Sequence, residues 1–192
     1  RVAVRSPSKA IFLKTYGEVG QVEIFQCSIF DPAAVSRCIG GSTVVINAVA
    51  GLLNETSKKK FKQYYIDWPE NLALISTRCD VKRLIHISSI GVDKDSKSSY
   101  SSSKAKGEEK IVENFSNTVI LRPSLIFGHE DQFFNRYASI ASYSLIVPLI
   151  GPNTKFQPVY VDDVALAVEI VLEDTTLKGV FELGGPQIMT LK

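Results

Sequence analysis

Leu84-Ile85-His86-Ile87-Ser88-Ser89, then Tyr100-Ser101-Ser102-Ser103-Lys104, then Val119-Ile120-Leu121-Arg122-Pro123 form the stretch that decides the fold. Leu84–Ser88 and Val119–Leu121 are short apolar runs, uniform enough to be buried on both faces. Between them Ser101–Asn114 is rich in Lys, Glu and Ala, which is a helix composition. Strand, helix, strand at this spacing is a βαβ unit, and it implies a parallel sheet with helices on both sides. Outward from it the alternation continues. Val2–Val4, Val22–Phe25 and Val44–Asn47 read as further strands. Pro7–Tyr16 reads as a helix with proline in its tolerated first turn. Asp31-Pro32 opens another that runs to about Cys38 and stops at Gly40-Gly41. Lys60–Thr77 is a long helix that Pro69 should kink or restart. Asp162-Asp163 caps a run Val164–Leu172 in which Val164, Val168, Val171 and Leu172 share a face. The expectation is an α/β, doubly wound parallel sheet, one domain over residues 1–192, with no internal repeat or linker.

A doubly wound dinucleotide-binding sheet opens with a strand, a Gly-rich turn and a helix, and that strand lies mid-sheet. No G-x-G-x-x-G stands here. Gly17 and Gly20 follow a helix and precede a strand, the wrong side for a phosphate loop. By spacing, Val2–Val4 is the second strand, so the sheet lacks its first strand and its Gly-rich loop. Two half-sheets are left with unpaired inner edges. The native protein is expected to be longer by one strand-turn-helix unit of ~30 residues. The alternative is that Val2–Val4 opens a fold that binds no dinucleotide.

Composition narrows the function classes. The 192 residues are 45% hydrophobic and 22% charged, ordinary for a globular domain with one sizeable core. A net charge of +2 lacks the strong basic stripe of a nucleic-acid protein. Cys27, Cys38 and Cys79 form no CxxC pair and are odd in number, which favours a reducing compartment. The longest apolar stretch, Leu145–Ile150, is broken by Pro148 and falls far short of the ~20 residues that span a bilayer. Arg1-Val2-Ala3-Val4-Arg5 reads as the middle of a fold, so no signal peptide is expected in this stretch. Lys58-Lys59-Lys60 is a solvated face before it is a docking point for anionic lipid. Ser96–Ser103, with six serines in eight positions, reads as a surface loop.

Tyr100 and Lys104 carry the sharpest chemistry. At i and i+4 on a helix, the phenol and the ammonium share a face. A nearby cation favours the ionised phenol, which makes tyrosine a usable general acid or base. Ser88-Ser89 ends the strand upstream, and carboxyl ends of parallel strands line the ligand crevice. The plain alternative is a strand terminus and a ring on a solvated helix. Asn47-Ala48-Val49-Ala50-Gly51 leaves its strand with small residues that let backbone approach a ligand, or simply make a tight turn. Arg5 follows the first visible strand where an NAD site would place an acid; with Lys9 nearby it suits a 2′-phosphate, or is merely solvated. Arg122-Pro123-Ser124-Leu125-Ile126-Phe127-Gly128 leaves the next strand toward a nicotinamide, or is a plain strand exit. His86 reads as packed or hydrogen-bonded. His129-Glu130-Asp131, consecutive on a loop, make a poor metal cage, so no metal site is expected. Phe133, Phe134 and Tyr137 read as core.

With these pieces in order the chain resembles the extended and atypical short-chain dehydrogenase/reductase superfamily, a Rossmann-type fold. More narrowly it is similar to the NAD(P)-binding accessory subunit family of respiratory complex I. The resemblance rests on Leu121-Arg-Pro-Ser-Leu-Ile-Phe-Gly128 and Glu130-Asp131-Gln-Phe-Phe-Asn-Arg-Tyr-Ala138. It continues through Pro148-Leu-Ile-Gly151, Lys155-Phe-Gln-Pro-Val-Tyr-Val-Asp-Asp-Val-Ala165 and Phe181-Glu-Leu-Gly-Gly-Pro186. It implies the Ser-Tyr-Lys roles for Ser89, Tyr100 and Lys104: orienting a substrate oxygen, exchanging its proton, and holding the ribose. It implies NADP(H) in preference to NAD(H), with Arg5 at the 2′-phosphate and Ser28 and Ile29 near adenine. Ala48, Val49, Ala50 and Gly51 would lie beneath the cofactor, with Pro123, Ser124 and Ile126 beside the nicotinamide. Ser28 stands where the superfamily often has Asp, and Asp67 where it often has Asn. The implied partners are the dinucleotide and complex I subunits, with peripheral membrane association, in a bacterial cytoplasm or on the matrix side of the inner mitochondrial membrane. The nucleotide would be mainly structural. The alternative is a free NADP(H)-dependent reductase or sugar-nucleotide epimerase.

Overall fold

A computed structural model describes residues 1–51, 57–144 and 151–190. The apolar run 145–150, which includes the start of the Pro148–Gly151 motif, lies outside them. Strands are β1 (Val2–Val4), β2 (Ile24–Gln26), β3 (Val44–Asn47), β4 (Arg83–Ile87), β5 (Thr118–Pro123), β6 (Ile126–Phe127), β7 (Lys155–Phe156), β8 (Val159–Tyr160), β9 (Gly179–Leu183) and β10 (Met189–Thr190). Helices are α1 (Pro32–Ile39), α2 (Lys58–Lys62), α3 (Trp68–Arg78), α4 (Ser99–Asn114), α5 (Phe134–Tyr143) and α6 (Val161–Glu173). Pro7–Tyr16 is helical as expected, but it is a 3-10 helix. A π turn, Gln63–Asp67, joins α2 to α3.

The chain divides into two compact units, Arg1–His86 with Val92–Thr118, and Ile87–Gly91 with Val119–Lys192. In the first, β1 pairs parallel with β2, and β3 with β4. Among the described residues these two ladders are not hydrogen-bonded to each other, which is the arrangement expected of a sheet without its central strand. Val35, Ile39, Trp68, Leu72, Ala73, Leu84 and Ile111 form the core cluster, joining α1, α3, α4 and β4. Leu84 and Ile111 are fully buried, so truncating either to alanine costs about 2–5 kcal/mol. Asp31 caps α1, its Oδ1 accepting from the N–H groups of Ala33 and Ala34, both at 3.0 Å.

In the second unit β5 pairs parallel with β9, β6 pairs parallel with β8, and β7 pairs antiparallel with β10. Phe127, Phe133, Phe134, Tyr137, Phe156 and Tyr160 make a chain of ring contacts at 5.2–6.2 Å. Phe133, Phe134 and Tyr137 are half-buried in it rather than fully core.

Three expectations need correcting. Asp162 and Asp163 lie in the first turn of α6 and do not cap it; Tyr160 holds the cap position. Leu172 is 38% exposed and does not share the buried face of Val164 and Val171. The serine-rich stretch is only half loop, because Ser98 caps α4 by accepting from the Ser101 N–H and the serines beyond it are helical.

Candidate functional site

Pro69 explains how the site is built. In an α-helix the N–H of residue 69 would bond the carbonyl of Tyr65, and proline has none. The chain widens into the π turn instead, with the Trp68 N–H reaching the Gln63 carbonyl. Such turns cluster at functional sites. The carbonyl of Tyr65 packs against Gly107 of α4, at a distance that no Cβ would tolerate. This close approach sets the Tyr65 side chain, 5% exposed, beside the first turns of α4.

Tyr65 and Tyr100 meet edge to face, ring centroids 5.3 Å apart at 80°. The ammonium of Lys104 lies 5.4 Å from the Tyr100 ring centre and 5.5 Å from that of Tyr65, both within cation–π range. Lys104 is 6% exposed. The Tyr65 hydroxyl donates to the Gly51 carbonyl at 3.1 Å. Burial, and then the Tyr100 phenol beside it, push the Tyr65 phenol above its ordinary value. Sequence reading missed Tyr65. The signal available was Pro69, four residues after Tyr65 of the aromatic pair Tyr64-Tyr65.

A second network lies at the carboxyl end of β3. The Asn47 Oδ1 accepts from the Trp68 indole N–H at 3.1 Å and from the Val49 N–H at 3.2 Å. Two donors fix that atom as the oxygen, so Nδ2 donates to the His86 Nδ1 at 2.9 Å. Neutral His86 therefore carries its proton on Nε2. Burial first, and then the Lys104 charge, push the His86 pKa down to about 3. His86 is thus a packed, hydrogen-bonded histidine, as expected. Asp67, at the position often held by asparagine, is engaged by the Lys62 ammonium at 3.0 Å.

Arg5, Ser28, Ile29, Ala48, Val49 and Ala50 all line one cavity of about 700 Å3 in the first unit. Arg1 is tied to its wall through Glu23 and the carbonyls of Cys38 and Gly40. Arg5 is exposed, and among the described residues its guanidinium makes no hydrogen bond or ion pair. Gly51, Tyr100 and Lys104 are brought together through Tyr65. The remaining candidates fall in the second unit. Ser88 donates its N–H to the Leu121 carbonyl, and Ile90 to that of Pro123, which sets Ser89 beside the end of β5. The hydroxyls of Ser88 and Ser89 are buried and have no hydrogen-bond partner among the described residues. Pro123 is buried, Ser124 donates to the Leu183 carbonyl, and Ile126 is half-buried. Among the described residues, no group of His, Cys, Asp and Glu is placed to hold a metal ion.

Comparison with known proteins follows from this geometry. The fold matches dTDP-4-dehydrorhamnose reductase from Bacillus anthracis in complex with NADP at a TM-score of 0.78 and 14% identity, over 98% of this chain and 75% of that one. It matches UDP-glucuronic acid 4-epimerase from Bacillus cereus in complex with NAD at 0.80 and 17% identity, over 95% and 67%. Both are nucleotide-bound doubly wound α/β proteins, and at this identity they bear on the fold alone. In sequence the chain is 32% identical to the mitochondrial NADH-ubiquinone oxidoreductase 40 kDa subunit of Neurospora crassa, over 93% of this chain and 47% of that protein. It is 34% identical to the mitochondrial NADH dehydrogenase (ubiquinone) 1 alpha subcomplex subunit 9 of Mus musculus, over 91% and 46%. The chain therefore spans about half the length of these curated relatives. The model of the 3-beta hydroxysteroid dehydrogenase/isomerase family matches residues 8–178, and the chain belongs to that family.

Proposed function

We propose that this chain is the nucleotide-binding part of an accessory subunit of a mitochondrial NADH:ubiquinone oxidoreductase, holding NADP(H) as a structural element on the matrix side of the inner membrane. The observation that carries this reading is the 32–34% identity, over nine-tenths of the chain, to subunits so named in a fungus, a slime mould, a mouse and a plant. No helix among the described residues is long and apolar enough to cross a membrane.

The residues present fit a dinucleotide. Arg5, Ser28 and Ala48 follow the carboxyl ends of β1, β2 and β3, the end of a doubly wound sheet at which nucleotides bind, and small residues Ala48 and Ala50 permit close approach. Arg5 would meet the 2′-phosphate, Ser28 and Ile29 the adenine, and Ala48, Val49, Ala50 and Gly51 the underside of the molecule. Lys104 would hold the ribose hydroxyls, with Pro123, Ser124 and Ile126 beside the pyridine ring. When bound, the nucleotide supplies a hydride donor or acceptor. Arg5 without a neighbouring acid favours NADP(H) over NAD(H).

A second reading, a free reductase or sugar-nucleotide epimerase, is favoured by the complete set Ser89, Tyr100 and Lys104. There Ser89 would orient a substrate oxygen, Tyr100 would exchange its proton, and Lys104 would polarise the phenol. Fractionation separates the two. Co-migration of the full-length protein with respiratory-chain subunits through native electrophoresis supports the subunit. Quantitative recovery in the soluble fraction rejects it.

A further inference from the structure

Tyr65 is a buried side chain that touches both the 48–51 turn and the Tyr100–Lys104 pair, and none of the assigned roles uses it. Its hydroxyl donates to the Gly51 carbonyl, at the end of the small-residue turn 48–51. Its ring meets Tyr100 at 5.3 Å and faces the Lys104 ammonium at 5.5 Å. The other end of that turn is held independently, because the Val49 N–H is bound by Asn47. The turn thus hangs from two side chains, and one of them also packs against the tyrosine–lysine pair.

We propose that Tyr65 is a positioning residue that couples the 48–51 turn to Tyr100 and Lys104, so that the turn and the ammonium take up the dinucleotide as one unit. This rests on the reading of that turn as part of a dinucleotide site. The two functions sit on different atoms. The hydroxyl positions the turn, while the ring shelters the ammonium from water and packs Tyr100. The π turn supplies the rigidity, since the Tyr65 backbone is wedged against Gly107. The hydroxyl is a donor throughout the physiological range, because burial and the neighbouring phenol hold its proton on.

Two variants take the functions apart. Tyr65→Phe keeps the ring and loses the hydroxyl; Tyr65→Leu loses both. In the full-length protein three quantities are measured: amide hydrogen exchange across residues 48–51, the rate of Lys104 acetylation by acetic anhydride, and NADPH affinity by fluorescence titration. Tyr65→Phe should speed exchange in the turn and weaken NADPH about five- to tenfold, the worth of one neutral hydrogen bond, with Lys104 acetylated at the wild-type rate. Tyr65→Leu should add a several-fold faster acetylation. Unchanged exchange and affinity in Tyr65→Phe overturn the coupling. Equal acetylation in the two variants overturns the role of the ring. A wild-type protein that binds no NADPH rejects the dinucleotide reading, whereas the exchange and acetylation results still decide whether Tyr65 couples the two elements. Thermal melts of both variants identify any global unfolding, and Tyr65→Phe, which leaves the packing in place, carries the decision.

Discussion

The carbonyl of Tyr65 rests against Gly107, and a Cβ at that position would collide with it and touch the Pro69 ring. Gly107 is mid-helix, where glycine normally costs about 0.5–1 kcal/mol relative to alanine. Gly107→Ala should therefore reverse the usual sign, destabilising the protein by about 1–3 kcal/mol through overpacking. Urea denaturation checks this, and an alanine variant as stable as wild type would place α4 farther from the π turn than described.

His86 gives stability a distinct pH dependence. Its folded pKa of about 3 lies below the ordinary 6.5, so between these values the unfolded chain takes up a proton that the folded one refuses. Stability is full above pH 6.5 and falls as pH drops toward 3, by about 1.4 kcal/mol per pH unit. Denaturation at pH 7.0, 6.0 and 5.0 measures the slope above the range where carboxylates titrate. In His86→Gln the slope in this window should largely disappear, whatever the absolute stability.

Asn47 holds Trp68, Val49 and His86 at once. Asn47→Ala leaves a buried indole N–H without its acceptor, at a cost of about 1–3 kcal/mol for that group. Trp68 is the single tryptophan of the chain, so its emission reports the change directly. A wild-type spectrum in Asn47→Ala would contradict the network.

On the proposed reading, Arg5 would meet the 2′-phosphate of NADP(H). Arg5→Asp should weaken NADPH about tenfold or more, the loss of a charge-assisted hydrogen bond, and leave NADH affinity at or above that of wild type. Titration of both coenzymes gives the ratio; an equal loss for each would assign Arg5 to stability rather than to the 2′-phosphate.

Much of this was legible from residue order. The ranges Val2–Val4 and Val44–Asn47 are the strands observed, because short runs rich in β-branched residues favour extended backbone, although β1 has no buried residue and Ile46 of β3 is exposed. Pro69 was readable as a restart, since a missing N–H acts locally. The lack of a Gly-rich turn agrees with two ladders, β1–β2 and β3–β4, that are not hydrogen-bonded to each other among the described residues. Tyr65 was not legible, because its role comes from contacts with residues 14, 35 and 39 positions away along the chain, which no local pattern encodes. Leu172 was misplaced for the same reason: periodicity names an apolar face, but packing partners decide how wide the buried stripe is. The short pairs β6–β8 and β7–β10 depend on where long loops return, and two-residue strands carry no period of their own.

The central claim is that a dinucleotide is gripped here and not consumed. It is tested most directly by identifying the nucleotide that leaves the purified full-length protein on denaturation, and following its absorbance beforehand in the presence of carbonyl compounds. The account predicts near-stoichiometric NADPH that stays reduced. Repeated oxidation that Tyr100→Phe abolishes, or a protein that carries and binds no pyridine nucleotide, would contradict it.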